Sequence, residues 1–244
     1  MEGKLFIVPT PIGNLEDMSP RAVRVLKEAD VVLAEDTRTS SVLMKHFGIS
    51  TPLASFHKFN EHQTVDRIIE RLLRGEKVAL VSDAGTPGIS DPGFLLSRAC
   101  REKDITVETL PGPVAFAPAL VDSGLPCDKF FFEGFLPPKK GRSSRLEFLS
   151  AFPYTFVIYE SPVRLPRTLS DLAAFCGSDR NASVVREISK LYETVSNGTL
   201  GELVSHFAVN PPKGEIVIIV EGKSASEPKK VHTNKFRNSE ENNN

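Results

Sequence analysis

The sequence predicts an α/β protein that is built from two α/β domains. Strand-like and helix-like segments alternate in the first half, strand-like segments outnumber helices in the second, and a Pro- and Gly-rich junction separates the halves. Alternation of strands and helices is typical of a parallel sheet with helices on both faces. The excess of strands favours a mixed sheet in the second half. The length of 244 residues allows two domains of ordinary size.

The first half begins with an apolar strand at 4–8, which Pro9 and Pro11 end. Ser19 and Pro20 are typical of a helix N-cap and of the first helical position. The clearest helix follows Glu61, because its apolar residues recur at helical spacing and Gly75 ends it. The complete prediction places strands at 4–8, 31–34, 53–56, 77–81 and 105–110, with helices after Ser19 and at 39–47, 61–74 and 94–101.

A short helix at 114–122, bracketed by Pro- and Gly-rich turns, marks the predicted domain junction. We therefore expect an N-terminal domain at 1–112, a second domain at 113–222 and a disordered polar tail at 223–244. The second domain is predicted to have strands at 130–135, 155–159, 183–188, 192–196 and 215–220, and helices at 144–151, 165–175 and 200–207.

Composition excludes several classes of protein. A balance of 30 Lys+Arg against 31 Asp+Glu gives a net charge of −1, so any contact with RNA requires a local basic patch. No apolar run approaches the ~20 residues of a membrane span, and the apolar start is too short for a signal peptide. These features favour a cytoplasmic protein. The three widely spaced cysteines argue against a disulfide framework and a zinc site, and no metal site is predicted.

The segment 81–93 is the most informative for function. It follows a buried strand and precedes a helix, so it lies at the carboxyl end of a sheet strand, where open α/β sheets bind ligands. Its three glycines let the backbone approach a ligand closely, and Asp83 and Asp91 can accept hydrogen bonds from hydroxyl or ammonium groups. The segment contains no Lys and matches neither a Walker A loop nor GxGxxG. It therefore favours a ligand with positive character and no phosphate.

Three further polar loops follow predicted strands, at 8–15, 34–40 and 55–61, and we expect them to converge on one cleft. For Glu35 and Asp36, a role in capping the next helix is as well supported as a functional role. For His57, the alternative is an ordinary surface histidine or one whose hydrogen bonds are satisfied within the fold.

These loops and several later segments resemble the ribosomal RNA small subunit methyltransferase I family, which belongs to the tetrapyrrole methylase superfamily. The resemblance covers roughly residues 4 to 222 and rests on the segments 8–17, 35–38, 81–87, 111–113, 132–137, 159–162 and 186–188. It implies a tetrapyrrole methylase-like fold that holds S-adenosylmethionine in a cleft between the two domains. It also implies a homodimer that methylates the 2′-oxygen of a cytidine ribose in the decoding region of small-subunit (16S) ribosomal RNA.

Matching motif to motif assigns the cofactor a set of contacts. These would be Asp83, Ala84, Gly85, Ile89, Ser90, Asp91, Pro111, Ala115, Phe132, Glu133, Gly134, Phe135, Glu160 and Ser161. The candidates for a general base are Glu35, His57 and Glu160, which fall at strand ends near the cleft, and the sequence does not choose among them.

Basic residues near the cleft are predicted to contact RNA phosphates. Two of them follow strands of the first domain, and four lie in a loop at 136–145 that has no acidic residue: Arg38, Lys58, Lys139, Lys140, Arg142 and Arg145. Ser143 or Ser144 is expected to cap the helix after this loop. Many family members have a further C-terminal region of some tens of residues, whereas this chain passes into the polar tail after Gly222. The basic loop is therefore expected to hold the RNA.

Two alternatives remain open. One is a methylase of the same superfamily that acts on a small tetrapyrrole, although such members typically have a Gly-Pro-Gly loop where this chain has Pro9-Thr10-Pro11-Ile12-Gly13. The other is a non-enzymatic RNA-binding module that assists ribosome assembly. The intact segment 83–87 argues against it, because a cofactor loop would then have only a structural role.

Overall fold

The first half of the chain forms a five-stranded, entirely parallel sheet. The computed structural model describes residues 2–58 and 60–223. The strands are β1 (Lys4–Ile7), β2 (Val31–Ala34), β3 (Leu53–Ser55), β4 (Lys77–Leu80) and β5 (Thr106–Thr109). They are arranged in the order β3-β2-β4-β1-β5. Because all five run in the same direction, the loops after them meet at one edge of the sheet.

Helices cover both faces of this sheet, as the sequence predicts. They are α1 (Pro20–Glu28), α2 (Thr37–His46), α3 (Glu61–Leu73) and α4 (Phe94–Glu102). One face packs its apolar side chains against α3 and α4, and the other packs against α1 and α2. Ser19 caps α1 by accepting a hydrogen bond from Ala22 N at 3.1 Å, and Pro20 is its first residue, as predicted.

The second half forms a five-stranded mixed sheet, which confirms that prediction. Its strands are β6 (Phe130–Phe135), β7 (Thr155–Glu160), β8 (Asn181–Arg186), β9 (Thr194–Thr199) and β10 (Ile216–Val220), in the order β6-β7-β10-β8-β9. Only the β6–β7 pairing is parallel. One face is covered by α6 (Arg142–Ser150), α7 (Leu165–Cys176) and α8 (Leu200–Val209).

The other face of the mixed sheet packs toward the first domain. Helix α5 (Phe116–Asp122) lies on it, and Ile12 from the loop after β1 joins the same apolar cluster, together with Val157 and Ile219. The helix α5 thus packs with the second sheet. The contact of Ile12 brings the edge of the parallel sheet against the second domain.

Three local predictions differ from the structure. Strands β8 and β9 are displaced by about two residues from their predicted positions, and Glu187 and Ser189 between them have positive φ angles of 54° and 65°. Helix α6 begins at Arg142 after Gly141, whose φ is 82°, so neither Ser143 nor Ser144 caps it.

Apart from Lys223, the predicted tail lies outside the described residues. Among the helices described, none combines the length and apolar composition of a membrane span.

Candidate functional site

A cavity of about 350 Å³ lies where the loops of the parallel sheet face the second domain, a volume typical of small-molecule sites. The loops after β1, β2, β4 and β5 line one side, and β6, β7, β10 and the turn after β8 line the other. The lining residues are Ile12, Glu35, Asp83, Ala84, Gly85, Thr86, Ile89, Ser90, Asp91, Val114, Ala115, Phe135, Tyr159, Glu160, Ile188, Glu215, Ile216 and Val217. The loops 8–15, 34–40 and 81–93 thus converge as predicted, whereas no described residue of the loop 55–61 lines the cavity; the second half of the chain closes the cleft.

Backbone hydrogen bonds fix the loop after β4. Thr10 N donates to Gly85 O at 2.9 Å, and Gly85 N donates to Thr10 O at 3.0 Å. The hydroxyls of Thr10 and Ser82 donate to Ser82 O and Gly85 O, each at 3.0 Å. Thr86 Oγ1 donates to Pro113 O at 2.9 Å, which ties this loop to the junction between the domains. The backbone that lines the cavity is thus held in place before a ligand binds.

Three carboxylates line one side of the cavity. Burial, together with the negative charges of Glu35 and Asp83, raises the pKa of Asp91 to about 6. The pKa of Glu35 is also raised, first by burial and then by Asp83, while nearby His57 opposes that rise. Like charges held together in this way favour a cationic ligand, because its binding relieves their repulsion.

Asp36 caps the helix that follows β2 and does not line the cavity. Its carboxylate accepts from Arg38 N at 2.8 Å and pairs with the Arg38 guanidinium at 2.6 Å. The hydrogen bonds from Arg38 lower the pKa of Asp36 to about 2. Asp36 N donates to Asp83 Oδ1 at 3.1 Å, so this cap also orients an acidic side chain of the cavity. Capping is thus the role of Asp36, whereas Glu35 faces the cavity.

Aromatic side chains form the wall on the side of the second domain. Tyr159 Oη accepts a hydrogen bond from Phe116 N at 3.1 Å, and burial raises the pKa of Tyr159 to about 12. The ring centroid of Tyr159 lies 4.9 Å from that of Phe132 and 5.8 Å from that of Phe135. This wall can receive a planar or apolar part of a ligand while the opposite side receives its charged part.

Most of the predicted cofactor contacts lie on the cavity wall. Nine of them line it: Asp83, Ala84, Gly85, Ile89, Ser90, Asp91, Ala115, Phe135 and Glu160. Five do not: Pro111, Phe132, Glu133, Gly134 and Ser161. Sequence reasoning missed Ile12, Thr86, Val114, Tyr159, Ile188, Glu215, Ile216 and Val217, which line it. Thr86 and Tyr159 lie inside recognised motifs and could have been found there. The others depend on which face of the second sheet turns toward the first.

An irregularity in β6 explains why its middle does not reach the cavity. The pairing with β7 shifts between Phe132 and Gly134, and the φ of Gly134 is 72°. The Phe132 ring packs against other aromatic rings behind the wall. Glu133 is directed to the opposite face of the sheet, where Arg145 Nε donates to it at 2.7 Å. A Cβ added at Gly134 would lie 3.1 Å from Ser90 Oγ, so glycine permits a close approach to that residue.

Glu160 does not fit the role of general base. Its side chain is fully buried, with 0% exposure, and Arg164 Nε lies 2.8 Å from one carboxylate oxygen. Ser161 N donates to it at 2.8 Å and Thr168 Oγ1 at 2.6 Å. These bonds hold the turn after β7 and leave no approach for a substrate proton. We correct the prediction accordingly: Glu160 anchors the cavity rim. Of the other two candidates, Glu35 lines the cavity, while His57 lies near Glu35 but off the wall.

The predicted phosphate contacts fall into two groups. Lys58, Lys139 and Lys140 are exposed, as is Arg38 beside Asp36. The Arg142 side chain is only 6% exposed and donates to Asp171 and Thr168, each at 2.8 Å. The prediction for Arg142 is corrected, because a guanidinium that is buried and bonded in this way cannot reach RNA. Arg145 is only partly available to RNA, because its guanidinium is paired with the Glu133 carboxylate.

The cavity suits the S-adenosylmethionine that the family resemblance implies. This molecule combines a sulfonium, an ammonium group, ribose hydroxyls and a planar base, and it has no phosphate. The three carboxylates match its positive charge, and the rigid backbone near Gly85 offers donors and acceptors for its polar groups. Among the described residues that line the cavity there is no Lys or Arg to receive a phosphate. Within the described chain, no group of three or more His, Cys, Asp or Glu is arranged to hold a metal ion.

Comparison with known proteins agrees with this geometry. Residues 4–204 match the model of the family of tetrapyrrole (corrin/porphyrin) methylases. The structure is similar to that of uroporphyrin-III-C-methyltransferase from Thermus thermophilus, with a TM-score of 0.62 and 21% identity, covering 92% of this chain and 95% of that one. A diphthine synthase gives a TM-score of 0.71 at 16% identity and 90% of each chain. These likenesses show the fold.

Several relatives are far more similar to this chain in sequence than these two solved structures are. A protein of Xylella fastidiosa (strain Temecula1) named ribosomal RNA small subunit methyltransferase I is 50% identical to this chain, over 94% of this chain and 85% of the relative. The protein of that name in Escherichia coli O157:H7 is 47% identical, over 93% of this chain and 80% of the relative. The relative of that name in Thermotoga maritima is 45% identical, over 91% of this chain and 99% of the relative. The chain therefore belongs to the tetrapyrrole methylase family and, within it, to the group of ribosomal RNA small subunit methyltransferase I.

Proposed function

We propose that this chain transfers a methyl group from S-adenosylmethionine to the 2′-oxygen of a cytidine ribose in small-subunit ribosomal RNA. The observation that carries the proposal is the identity of nearly half of all residues to relatives named for that RNA, over more than nine tenths of the chain. The acidic cavity with its fixed glycine loop supports the cofactor half of the proposal. The exposed Lys139 and Lys140, in the loop after the strand that ends at cavity residue Phe135, support the RNA half.

The cofactor would bind in the cavity between the sheets. Asp83 and Asp91 would face its positively charged groups or its ribose hydroxyls, and the backbone of Gly85 would lie against it. Phe135 and Tyr159 would pack against its apolar parts, since both line the wall on the side of the second domain. When bound, S-adenosylmethionine supplies a methyl group that its positively charged sulfur already activates for transfer.

The protein's contribution would be positioning and the handling of one proton. Holding the ribose hydroxyl in line with the methyl group can supply most of the acceleration. Glu35 is the base we favour, because it lines the cavity and its pKa is raised toward the range in which a carboxylate removes a proton effectively. His57, which opposes the rise in the pKa of Glu35, would tune that carboxylate.

RNA would approach along the basic loop and the loops of the first domain. Lys139 and Lys140 are exposed and lie in the loop that leaves β6, the strand whose last residue, Phe135, lines the cavity. Lys58 and Arg38 follow β3 and β2 and lie at the same edge as Glu35. Such contacts would hold the phosphates without reading sequence.

We further propose that the chain works in the cytoplasm as a homodimer. Large apolar side chains remain exposed on the described surface, including Val163, Leu191 and Tyr192, and an interface would cover such groups. Sedimentation velocity tests this part: a mass of twice 26.8 kDa supports the dimer, and a mass equal to that of one chain contradicts it.

A titration and a transfer assay test the proposal against its alternatives. Calorimetry with S-adenosylmethionine separates an enzyme from a non-enzymatic RNA-binding module, because the module would give no heat of binding. Transfer of labelled methyl groups is then measured to isolated small ribosomal subunits and, separately, to porphyrin and corrin acceptors. We expect label in the subunits. Label only in the tetrapyrroles would establish the small-molecule methylase instead.

A further inference from the structure

Four aromatic side chains form a continuous row on the outer edge of the second domain. Phe131, Phe148, Phe152 and Tyr154, which we call the aromatic strip, come from β6, α6 and the connection between α6 and β7. The Phe152 centroid lies 5.3 Å from that of Phe131, 5.8 Å from that of Phe148 and 5.9 Å from that of Tyr154. The rings therefore contact one another from one end of the strip to the other.

Two rings of the strip are exposed to solvent, the other two are half-buried, and a cation lies at each end. Phe148 is 45% exposed and Tyr154 is 43% exposed. The Arg145 guanidinium lies 4.6 Å from the Phe148 centroid, and Lys129 Nζ lies 5.4 Å from that of Tyr154. Because Glu133 is paired with Arg145, the positive charge available to a partner comes mainly from Lys129 and from the basic loop after β6.

The position of the strip links it to the cavity. Phe131 packs on the helix-covered face of the mixed sheet, whereas Phe135, four residues further along the edge strand β6, lines the cavity on the other face. RNA that contacts both must therefore pass around β6, over a path of at least about 13 Å. A few nucleotides of extended single strand cover that distance. Lys139 and Lys140 are exposed and follow β6 in the chain, in the connection to α6.

We propose that the aromatic strip binds the single-stranded RNA that flanks the target nucleotide, with bases stacked on Phe148 and Tyr154. This inference rests on the proposed function, because it concerns the same RNA substrate. Proteins that hold single strands combine exposed rings, on which bases stack, with cations that contact the backbone. An arginine that lies over a ring extends the stacking surface, since its planar guanidinium also stacks on bases.

The competing occupant is a second copy of this chain, since β6 is an edge strand of the described sheet. The charges favour RNA. Lysine is depleted from protein–protein interfaces, whereas Lys129 ends the strip and two further lysines continue beyond β6. The exposed rings thus lie in a setting that a polyanion with planar bases would match.

The test uses the full chain and a short single-stranded RNA in which 2-aminopurine stands beside a central cytidine. We expect the parent to quench the 2-aminopurine, which reports stacking. The double variant Phe148→Leu/Tyr154→Leu keeps the apolar area but removes the rings. It should bind at least about fivefold more weakly for each lost ring and lose the quench. The slope of log affinity against log salt should stay the same, because the rings have no charge. The control Phe148→Tyr/Tyr154→Phe keeps both rings and should behave like the parent.

Parental affinity and parental quench in the Leu variant would overturn the proposal. So would a change from dimer to monomer in sedimentation velocity with RNA binding intact, since the strip would then be an interface between copies. Methyl transfer by the parent to small subunits is measured in parallel. If the parent transfers label while the Leu variant binds RNA normally, the proposal for the aromatic strip is wrong and the proposed function stands. If the parent transfers none, the proposed function fails, and the quench still decides the stacking.

Discussion

Thr10 and Gly85 exchange two backbone hydrogen bonds, at 2.9 and 3.0 Å, and so join the loops that follow two neighbouring strands, β1 and β4. Gly85 makes this pair at a φ of 87°, a conformation that residues with a side chain rarely adopt. A Cβ there would meet nothing closer than Ile12 Cγ2 at 3.5 Å. The requirement for glycine is therefore one of backbone conformation rather than of space.

Gly85→Val should abolish binding of S-adenosylmethionine and leave the fold largely intact. A branched residue resists this φ at a cost of about 1–2 kcal/mol or more, so the loop would leave the position that the pair with Thr10 fixes. The matched control is Gly88→Val, whose φ is 85° with open space around it and which does not line the cavity. This control should lose a similar amount of thermal stability through backbone strain and should still bind the cofactor. Calorimetry that finds unchanged affinity in folded Gly85→Val would refute this placement of the loop.

Affinity for S-adenosylmethionine should rise as the pH increases from 5 to 7. Burial and the charges of Glu35 and Asp83 raise the pKa of Asp91 to about 6, so Asp91 is mostly neutral at pH 5 and mostly ionised at pH 7. The ionised form attracts a cation, which gives an increase in affinity of up to about tenfold for one pKa unit.

Two variants test this origin of the pH dependence. Asp91→Asn should bind S-adenosylmethionine weakly and lose the pH dependence. Asp83→Asn should shift the dependence to lower pH, because it removes one of the charges that raise the pKa. A flat profile in the parent would count against Asp91 as a cofactor contact.

Glu35→Gln and Glu160→Gln should fail in different ways. If Glu35 removes the hydroxyl proton, its amide variant should lose about 10²–10⁴-fold in kcat and keep nearly normal cofactor affinity. Glu160→Gln leaves Arg164 without its carboxylate partner, so we expect a loss of about 1–3 kcal/mol in the free energy of unfolding. Its remaining folded enzyme should keep the parental pH profile. Single-turnover rates and thermal unfolding separate the two effects. A normal rate in Glu35→Gln would leave His57 as the candidate.

Lys139→Ala/Lys140→Ala should reduce the salt dependence of RNA binding by roughly 1.4–1.8 in the slope of log affinity against log salt. Both side chains are exposed, whereas Arg142 and Arg145 of the same loop are bonded within the protein. Lys27→Ala/Lys103→Ala is the matched control. It removes the same charge from the C-terminal ends of α1 and α4, which lie at the edge of the sheet opposite the cavity. An equal change of slope in both pairs would show that only overall charge matters.

The first domain was predictable because its signals are local. Strands β1, β2 and β4 are short, mainly apolar runs, and the turn residues that follow them lie beside them in sequence. The loop 81–93 is recognisable in the same way, so all of its cavity-lining residues except Thr86 are predicted from the sequence. For Asp36 the sequence is compatible with two roles, and only the hydrogen bonds of its carboxylate to Arg38 decide for the cap.

The wall formed by the second domain was less predictable because it depends on packing over long distances. Glu133 alternates to the far face of β6, and the irregularity before Gly134 changes which side chains reach the cavity. Arg142 looks like a surface cation in sequence. It is buried because Thr168 and Asp171, on a different helix, receive its hydrogen bonds. Nothing next to these residues in the chain signals such partners.

The most direct measurement maps the methyl group within the RNA. Small subunits are incubated with the protein and labelled S-adenosylmethionine, and the RNA is then hydrolysed in alkali, which cleaves after a free 2′-hydroxyl but not after a methylated one. We predict that the label is recovered in one alkali-resistant dinucleotide with cytidine at its 5′ position. Label on a base, which alkali would release in single nucleotides, or no label in the RNA at all, would contradict the account.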